Sequence, residues 1–167
     1  TDKAVVASWR MHYLQAGQIL RGYEQFMVDL LTDEPMTRGI LDRLHAVYME
    51  RAQKFLAQMA EYTDVVFFTD DLGTQSAALI SPDCYRRMIK PYWAELIGLI
   101  KKHGKKVLMH SCGAISELIP DLIEIGVDAV NPVQITARGM APERLKKEFG
   151  QDIAFWGGGI STQDVLD

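Results

Sequence analysis

Three glycines, each ending a helical pattern and leading directly into an apolar run, constrain the fold of this chain most. They are Gly104, Gly126 and Gly150, separated by 22 and 24 residues. A strand, a helix and a terminating glycine, repeated at this spacing, are typical of βαβ units. The pattern therefore predicts an α/β protein built on a parallel sheet.

The apolar runs and the capping residues predict the individual elements. Strands are predicted at 64–69, 106–110, 127–131 and 153–156, with the end of a fifth at 4–8. Helices are predicted at about 9–31, 33–61, 81–103, 116–125 and 141–149. Ser81 should cap the third of these helices, Pro91 should kink or split it, and Gly104 should end it in a left-handed conformation.

Four or five strands are too few for a (β/α)8 barrel, which typically needs about 250 residues. We therefore expect residues 1–167 to form a single-domain fragment of a longer polypeptide. The alternative is a small open α/β sheet that is complete as it stands.

Composition narrows the class of protein. The net charge is −4, and no basic patch is present, so a nucleic-acid partner is not expected. The apolar runs are too short to span a bilayer, so no membrane association is expected. With only two cysteines, the chain is not expected to rely on a framework of disulfide bonds. This fits a reducing environment, so a cytoplasmic location is predicted.

The predicted strand ends are polar or glycine-rich, and ligands of parallel α/β folds bind at the carboxyl ends of the strands. This coincidence predicts a functional site there. The four segments are Asp70-Asp71-Leu72-Gly73, His110-Ser111-Cys112-Gly113, Asn131-Pro132-Val133-Gln134 and Gly157-Gly158-Gly159-Ile160-Ser161.

His110 and Cys112 are two residues apart in an extended segment, so their side chains share one face. They could be two ligands of a zinc site, or a nucleophilic thiol with a histidine as its base. The alternative is a structural role, in which the cysteine is buried and unreactive and the histidine is hydrogen-bonded to the backbone. Because a catalytic zinc usually has three protein ligands, the third would come from Asp70, Asp71 or a segment outside the chain.

Asp70 and Asp71 should point to opposite sides of their strand. One of them could face the cleft as an acid, a base or an electrostatic anchor. The alternative for each residue is that its side chain is solvated in a loop or caps a helix. Asn131 and Gln134 could bind a polar ligand, although Asn-Pro also forms turns. The glycines at 157–159 would let a ligand approach the backbone.

Taken in order, these segments resemble the uroporphyrinogen decarboxylase superfamily. The matching motifs are Thr69-Asp-Asp-Leu-Gly-Thr-Gln75, Ile80-Ser-Pro-Asp83, Lys90-Pro-Tyr92, His110-Ser-Cys-Gly113, Gly126-Val-Asp128, Asn131-Pro-Val-Gln134, Leu145-Lys146 with Phe149-Gly150, and Gly157-Gly-Gly-Ile-Ser-Thr-Gln163. The resemblance implies the C-terminal part of a (β/α)8 barrel, about strands four or five to eight, with its cleft at the carboxyl ends of the strands. The candidates for binding a substrate there are Asn131, Gln134, Gly157, Gly158, Gly159 and Ser161.

The superfamily holds two chemistries. Its decarboxylases remove carboxylates from the acetate side chains of uroporphyrinogen without a cofactor, and its cobalamin-dependent methyltransferases move a methyl group between a corrinoid and a thiol. The methyltransferases use a zinc held partly by an H-x-C motif, which His110 and Cys112 match. The resemblance therefore implies a zinc-dependent methyltransferase as the leading function, a decarboxylase as the alternative, and a non-catalytic tetrapyrrole or corrinoid binder as a third.

The chain also departs from the superfamily pattern. A further zinc-binding cysteine would lie beyond Asp167, Ser161 stands where relatives often carry Asp, and Asp71 replaces the Ser of an Asp-Ser pair. On this mapping Asp70, Asp71, His110 and Cys112 are the catalytic candidates, and a corrinoid, free or on a corrinoid protein, is the implied partner. We also expect the open sheet edges to pair with missing chain or with another copy.

Overall fold

The computed structural model of the chain describes residues 2–159, and its fold is a parallel α/β arrangement. The elements in chain order are β1 (Val6–Ser8), α1 (Leu14–Arg21), α2 (Tyr23–Thr32), α3 (Glu34–Met59), a 3-10 turn (Ala60–Tyr62), β2 (Val65–Thr69), α4 (Pro82–Met88), α5 (Lys90–Lys102), β3 (Lys106–His110), α6 (Ile119–Glu124), β4 (Ala129–Asn131), α7 (Pro142–Phe149) and β5 (Ala154–Phe155). The five strands are parallel and lie side by side in sequence order. The predicted α/β class and the parallel sheet are confirmed.

The sheet is covered by helices on one face. Val66 and Phe68 of β2 and Met109 of β3 point to that face and are almost completely buried. Phe68 stacks edge-to-face on Trp93 of α5 at 5.1 Å between ring centroids, which anchors α5 to the sheet. Their register partners on the same face, Val107 of β3 and Val130 of β4, are buried as well, so the helices pack on this one side of the sheet.

The opposite face is largely uncovered among the described residues. Val65, Phe67 and Thr69 of β2 are half-buried there, and Val6 and Trp156 at its two ends are exposed. In a (β/α)8 barrel this face lines the interior. An apolar face of this kind fits a strand set curved around a barrel axis better than a complete open sheet, whose two faces would both be covered by helices.

Most predicted boundaries are confirmed, and two helices differ. The predicted helix at 9–31 begins only at Leu14 and is divided in two, because Gly22 adopts φ 87° and ψ 138°, which a helix cannot continue through. The predicted helix at 116–125 is shorter and begins at Ile119. Pro91 does accompany a split, since α4 and α5 meet at Ile89, and Gly104 has the predicted positive φ of 70°.

No helix within residues 2–159 has the length and apolar character needed to cross a membrane.

Candidate functional site

The carboxyl ends of β2, β3 and β4 lie level with one another. Thr69, His110 and Asn131 are register partners across the three strands. The residues that follow each strand therefore leave the sheet at the same height. This alignment brings polar side chains from segments far apart in sequence to one place at the edge of the uncovered face.

Asp71, His110 and Cys112 form a compact cluster at this edge. Their ligand-type atoms all lie within 4.8 Å of one another, and all three side chains are half-buried. The Nε2 atom of His110 is 3.5 Å from Cys112 Sγ and 3.6 Å from Asp71 Oδ1. The structure thus brings together three of the four catalytic candidates, from the ends of two neighbouring strands.

Asn131 sets the orientation of the His110 ring. Its Oδ1 lies 2.9 Å from His110 Nδ1, while its amide nitrogen donates to the carbonyl of Trp156 at 3.0 Å. Because that second bond fixes the amide nitrogen on the far side, Oδ1 is left as an acceptor, and Nδ1 must carry the proton. The lone pair of the neutral ring is then on Nε2, which faces Cys112 and Asp71.

The Cys112 thiol is not activated by its protein surroundings. Burial raises the pKa of Cys112, and the charge of Asp71 and a hydrogen bond to it raise the pKa further. A thiol in this environment is protonated near neutral pH and is a weak nucleophile. The cluster therefore does not support Cys112 as a free nucleophile with His110 as its base.

The same geometry fits a tetrahedral zinc ion. Zinc bonds of 2.0–2.3 Å to N, O and S at tetrahedral angles place ligand atoms about 3.4–3.6 Å apart, and the two distances from His110 Nε2 are 3.5 and 3.6 Å. A zinc ion also holds a cysteine as thiolate, which would offset the effect of Asp71 on the thiol. The donor set of one nitrogen, one sulfur and one oxygen is suited to this metal.

Asp71 is held for this role by two further bonds. Its Oδ1 accepts the backbone N–H of Cys112 at 3.0 Å, and its Oδ2 accepts the side-chain amide of Gln15 at 3.0 Å. Gln15 lies in α1, where the sequence pattern predicted only a helix. Nothing in the local sequence points to this contact, because the two residues are 56 positions apart.

Asp70 lies on the other side of the strand, away from the cluster. Its side chain is completely buried and accepts the backbone N–H groups of Tyr13, Leu14 and Gln15 at 3.0–3.1 Å. It thereby caps α1, which has no capping side chain of its own. Burial raises the pKa of Asp70, and these three backbone bonds oppose the rise. The geometry favours a structural role for this residue over the catalytic one considered from the sequence.

Gln134 ties the three loops at this end together through its side-chain amide, and its predicted contact with a substrate stays a prediction. Its Oε1 accepts the backbone N–H of Gly113 at 2.8 Å, and its amide nitrogen donates to Gln75 Oε1 at 2.6 Å. We call Gln75, Gln134 and Gly113 the loop latch. Gln75 was not singled out as a site residue, although it belongs to the motif at 69–75, and side-chain amides in such loops are the signal that could have indicated it.

Two glycines let the loops after β2 and β3 touch backbone to backbone. A Cβ atom at Gly113 would lie 2.4 Å from the carbonyl carbon of Gly73, and one at Gly73 would lie 2.8 Å from the backbone nitrogen of Ala114. Gly113 also has a φ of 84°, which side chains rarely permit. This contact holds the Cys112 segment against the Asp71 segment.

The glycine-rich segment after β5 lies beside the loop after β4. Gly157 and Gly158 have positive φ angles, and a Cβ at Gly157 would lie 2.9 Å from the backbone nitrogen of Val133. Among residues 2–159, no atom lies within 4 Å of the position of a Cβ at Gly159. Ser161 lies outside the described residues, so its predicted contact with a substrate stays a prediction.

A parallel sheet with helices on one face and a polar cluster at the strand ends defines the class: part of a (β/α)8 barrel with its site at the carboxyl ends of the strands. The model of the family described as "Uroporphyrinogen decarboxylase (URO-D)" matches residues 5–157, and the chain belongs to this family. The predicted family and fold are thereby confirmed.

A methyltransferase from Methanosarcina mazei is a solved structure with a similar fold, with a TM-score of 0.63 and 17% sequence identity over 86% of this chain. The alignment covers 42% of the methyltransferase, so this chain spans less than half of its length. No curated protein matches the sequence.

Proposed function

We propose that the chain carries the metal-binding half of a zinc-dependent, corrinoid-linked methyltransferase. The observation that supports this most is the cluster of Asp71, His110 and Cys112, with spacings suited to zinc and a histidine tautomer that leaves Nε2 free. Asp71 would supply the third ligand from within the chain. The family match and the methyltransferase neighbour are consistent with this branch.

Each residue has a distinct task in this proposal. His110, Cys112 and Asp71 hold the metal, Asn131 keeps His110 in the required tautomer, and Gln15 orients the Asp71 carboxylate. A zinc ion bound here would make a thiol substrate available as thiolate near neutral pH. The substrate would enter at the carboxyl ends of the strands, where the side chains of Asp71, His110 and Cys112 are partly exposed.

The proposed reaction transfers a methyl group from a corrinoid to a thiol. A sulfur–carbon bond forms while the cobalt–carbon bond breaks, the electron pair of that bond stays on cobalt, and the proton of the thiol goes to solvent. Binding the two reactants in one cleft supplies the orientation that such a transfer needs.

The direct test is to mix the purified full-length protein with methylcobalamin and a small thiol and to follow demethylation by the absorbance of the corrinoid. We expect turnover, and we expect His110→Ala to lower it about 100-fold or more. Replacing a residue that only hydrogen-bonds to a metal ligand typically lowers activity or metal affinity about 10–100-fold, and loss of the ligand itself should cost at least as much. Cys84→Ala is the matched control, since Cys84 is buried in α4 and away from the cluster.

Decarboxylation is the alternative that the family name supplies. The same preparation should be incubated with uroporphyrinogen. Accumulation of coproporphyrinogen without any methyl transfer would overturn the proposal in favour of the decarboxylase, and tight corrinoid binding with neither product would indicate a non-catalytic binder.

Asn131 provides a separate test of the metal site. Asn131→Leu removes the acceptor for His110 Nδ1–H, and we expect zinc affinity to fall about 10–100-fold, as for other partners of metal-bound histidines. Asn131→Asp keeps an acceptor at that place and should bind zinc within a few-fold of wild type. Competition with a chromophoric chelator measures both. Equal losses in the two variants would show that Asn131 acts through packing or through its bond to Trp156 instead.

A further inference from the structure

Besides the metal-type cluster, a cavity opens at the same end of the sheet, among the loops that follow β2, β3 and β4. Its volume is about 240 Å³, and it is separate from the metal-type cluster, since none of the three cluster residues lines it. Six of its lining residues carry the argument: Ser76, Ser116, Glu117, Arg138, Gly139 and Arg144. Two cationic side chains and two hydroxyl groups thus meet in one small concave space.

Arg144 presents part of its guanidinium group to the cavity. Its Nε donates a hydrogen bond of 2.9 Å to Oε1 of Glu148 on the same helix, and its Nη1 extends toward Gly139. A Cβ atom built on Gly139 would lie 3.3 Å from that Nη1 and 2.6 Å from Ser116 Oγ. Two hydrogen-bond donors therefore converge on the space that Gly139 leaves open.

Arg138 adds a second positive charge. Its backbone N–H is bonded to the carbonyl of Gln75, which fixes the start of its side chain at the cavity wall. Within residues 2–159 its guanidinium forms no ion pair, and the hydroxyl groups of Ser76 and Ser116 donate no hydrogen bond to another described residue. Glu117 is the single acidic residue among those that line the cavity in the described part of the chain.

We propose that this cavity binds an oxyanion, a phosphate or carboxylate group carried by a small ligand. Guanidinium groups bind such anions through paired, charge-assisted hydrogen bonds, and serine hydroxyls complete the shell of donors. The cavity is smaller than the roughly 300–1,000 Å³ of pockets that hold drug-sized ligands. The ligand is therefore small, or only its anionic end enters. This site does not depend on the metal-type cluster or on the function proposed for it.

Calorimetric titration of the purified full-length protein with inorganic phosphate, and separately with acetate, tests the site. We expect saturable binding of at least one anion with a Kd of about 1 mM or tighter, as for a weak but specific site. Arg138→Gln and Arg144→Gln should each weaken binding about tenfold, because each removes a charge-assisted bond. Glu117→Gln should act in the opposite direction and tighten binding about twofold, because it removes a repulsive charge.

Two controls separate the cavity from general electrostatics and from the metal site. Lys147→Gln removes the same charge from the same helix but outside the cavity, and it should leave the Kd unchanged. Cys112→Ser should also leave anion binding unchanged. Absence of saturable binding of both anions, or equal weakening in Lys147→Gln and Arg144→Gln, would overturn the proposal. Stronger binding of phosphate or of acetate identifies which oxyanion the site prefers.

Discussion

Asp70→Ala is expected to destabilise the protein by about 3–5 kcal/mol, because each buried N–H group left without an acceptor costs about 1–3 kcal/mol. This is a large part of the net stability of a typical domain. The substitution leaves three N–H groups at the start of α1 without their acceptor, and no side chain of α1 can replace it. Asp70 is completely buried, so water cannot take its place without opening the core.

The neighbouring Asp71→Ala is the matched control. Asp71 is half-exposed, and solvent can satisfy the partners it leaves, so we expect a loss of about 1 kcal/mol or less. Urea unfolding followed by tryptophan fluorescence measures both variants, since Trp93 packs beside Asp70. Equal unfolding midpoints for the two variants would contradict the capping role of Asp70.

Cys112→Ser is expected to abolish stoichiometric zinc binding. We expect about one zinc per chain in the wild-type protein and a small fraction of that in the variant, because serine is a poor zinc ligand near neutral pH. Since the pKa of Cys112 is raised, zinc must displace a thiol proton. Below that pKa the wild-type affinity should therefore rise about tenfold for each pH unit, and this part of the dependence should vanish in Cys112→Ser.

Metal analysis of purified protein and zinc titration at several pH values measure these effects. Cys84→Ala controls for the loss of a cysteine as such, because Cys84 is buried in α4. Equal zinc content in Cys112→Ser and in the wild-type protein would exclude the proposed centre. A pH dependence that is the same in both would show that Cys112 does not bind the metal as thiolate.

The strands and the helix ends could be predicted because their causes are local. The run 106–110 coincides with β3, and Gly104 ends α5 because a residue without a Cβ accepts the positive φ required there. The start of α1 could not be predicted in this way. It depends on Asp70, which is more than 50 residues away and reaches the helix only through the folded sheet.

The site was predicted in outline for a similar reason. Side-chain alternation places His110 and Cys112 on one face and separates Asp70 from Asp71. Which aspartate faces the cleft could not be inferred, because β2 is apolar on both faces, as barrel strands are. The choice depends on the register with β3. The pairing of Gln75 with Gln134 could not be inferred either, because the two residues are 59 positions apart in the sequence.

The contact between Gly73 and Gly113 has a consequence for how this site can evolve. Where two side chains pack together, enlargement of one can be compensated by reduction of the other, and such pairs covary among homologues. Here each glycine meets only backbone atoms of the opposite loop, and neither has a side chain left to shorten. No compensating substitution exists. We therefore expect both positions to remain glycine in every relative that keeps these loops, without covariation, even where the metal-type residues beside them have been replaced.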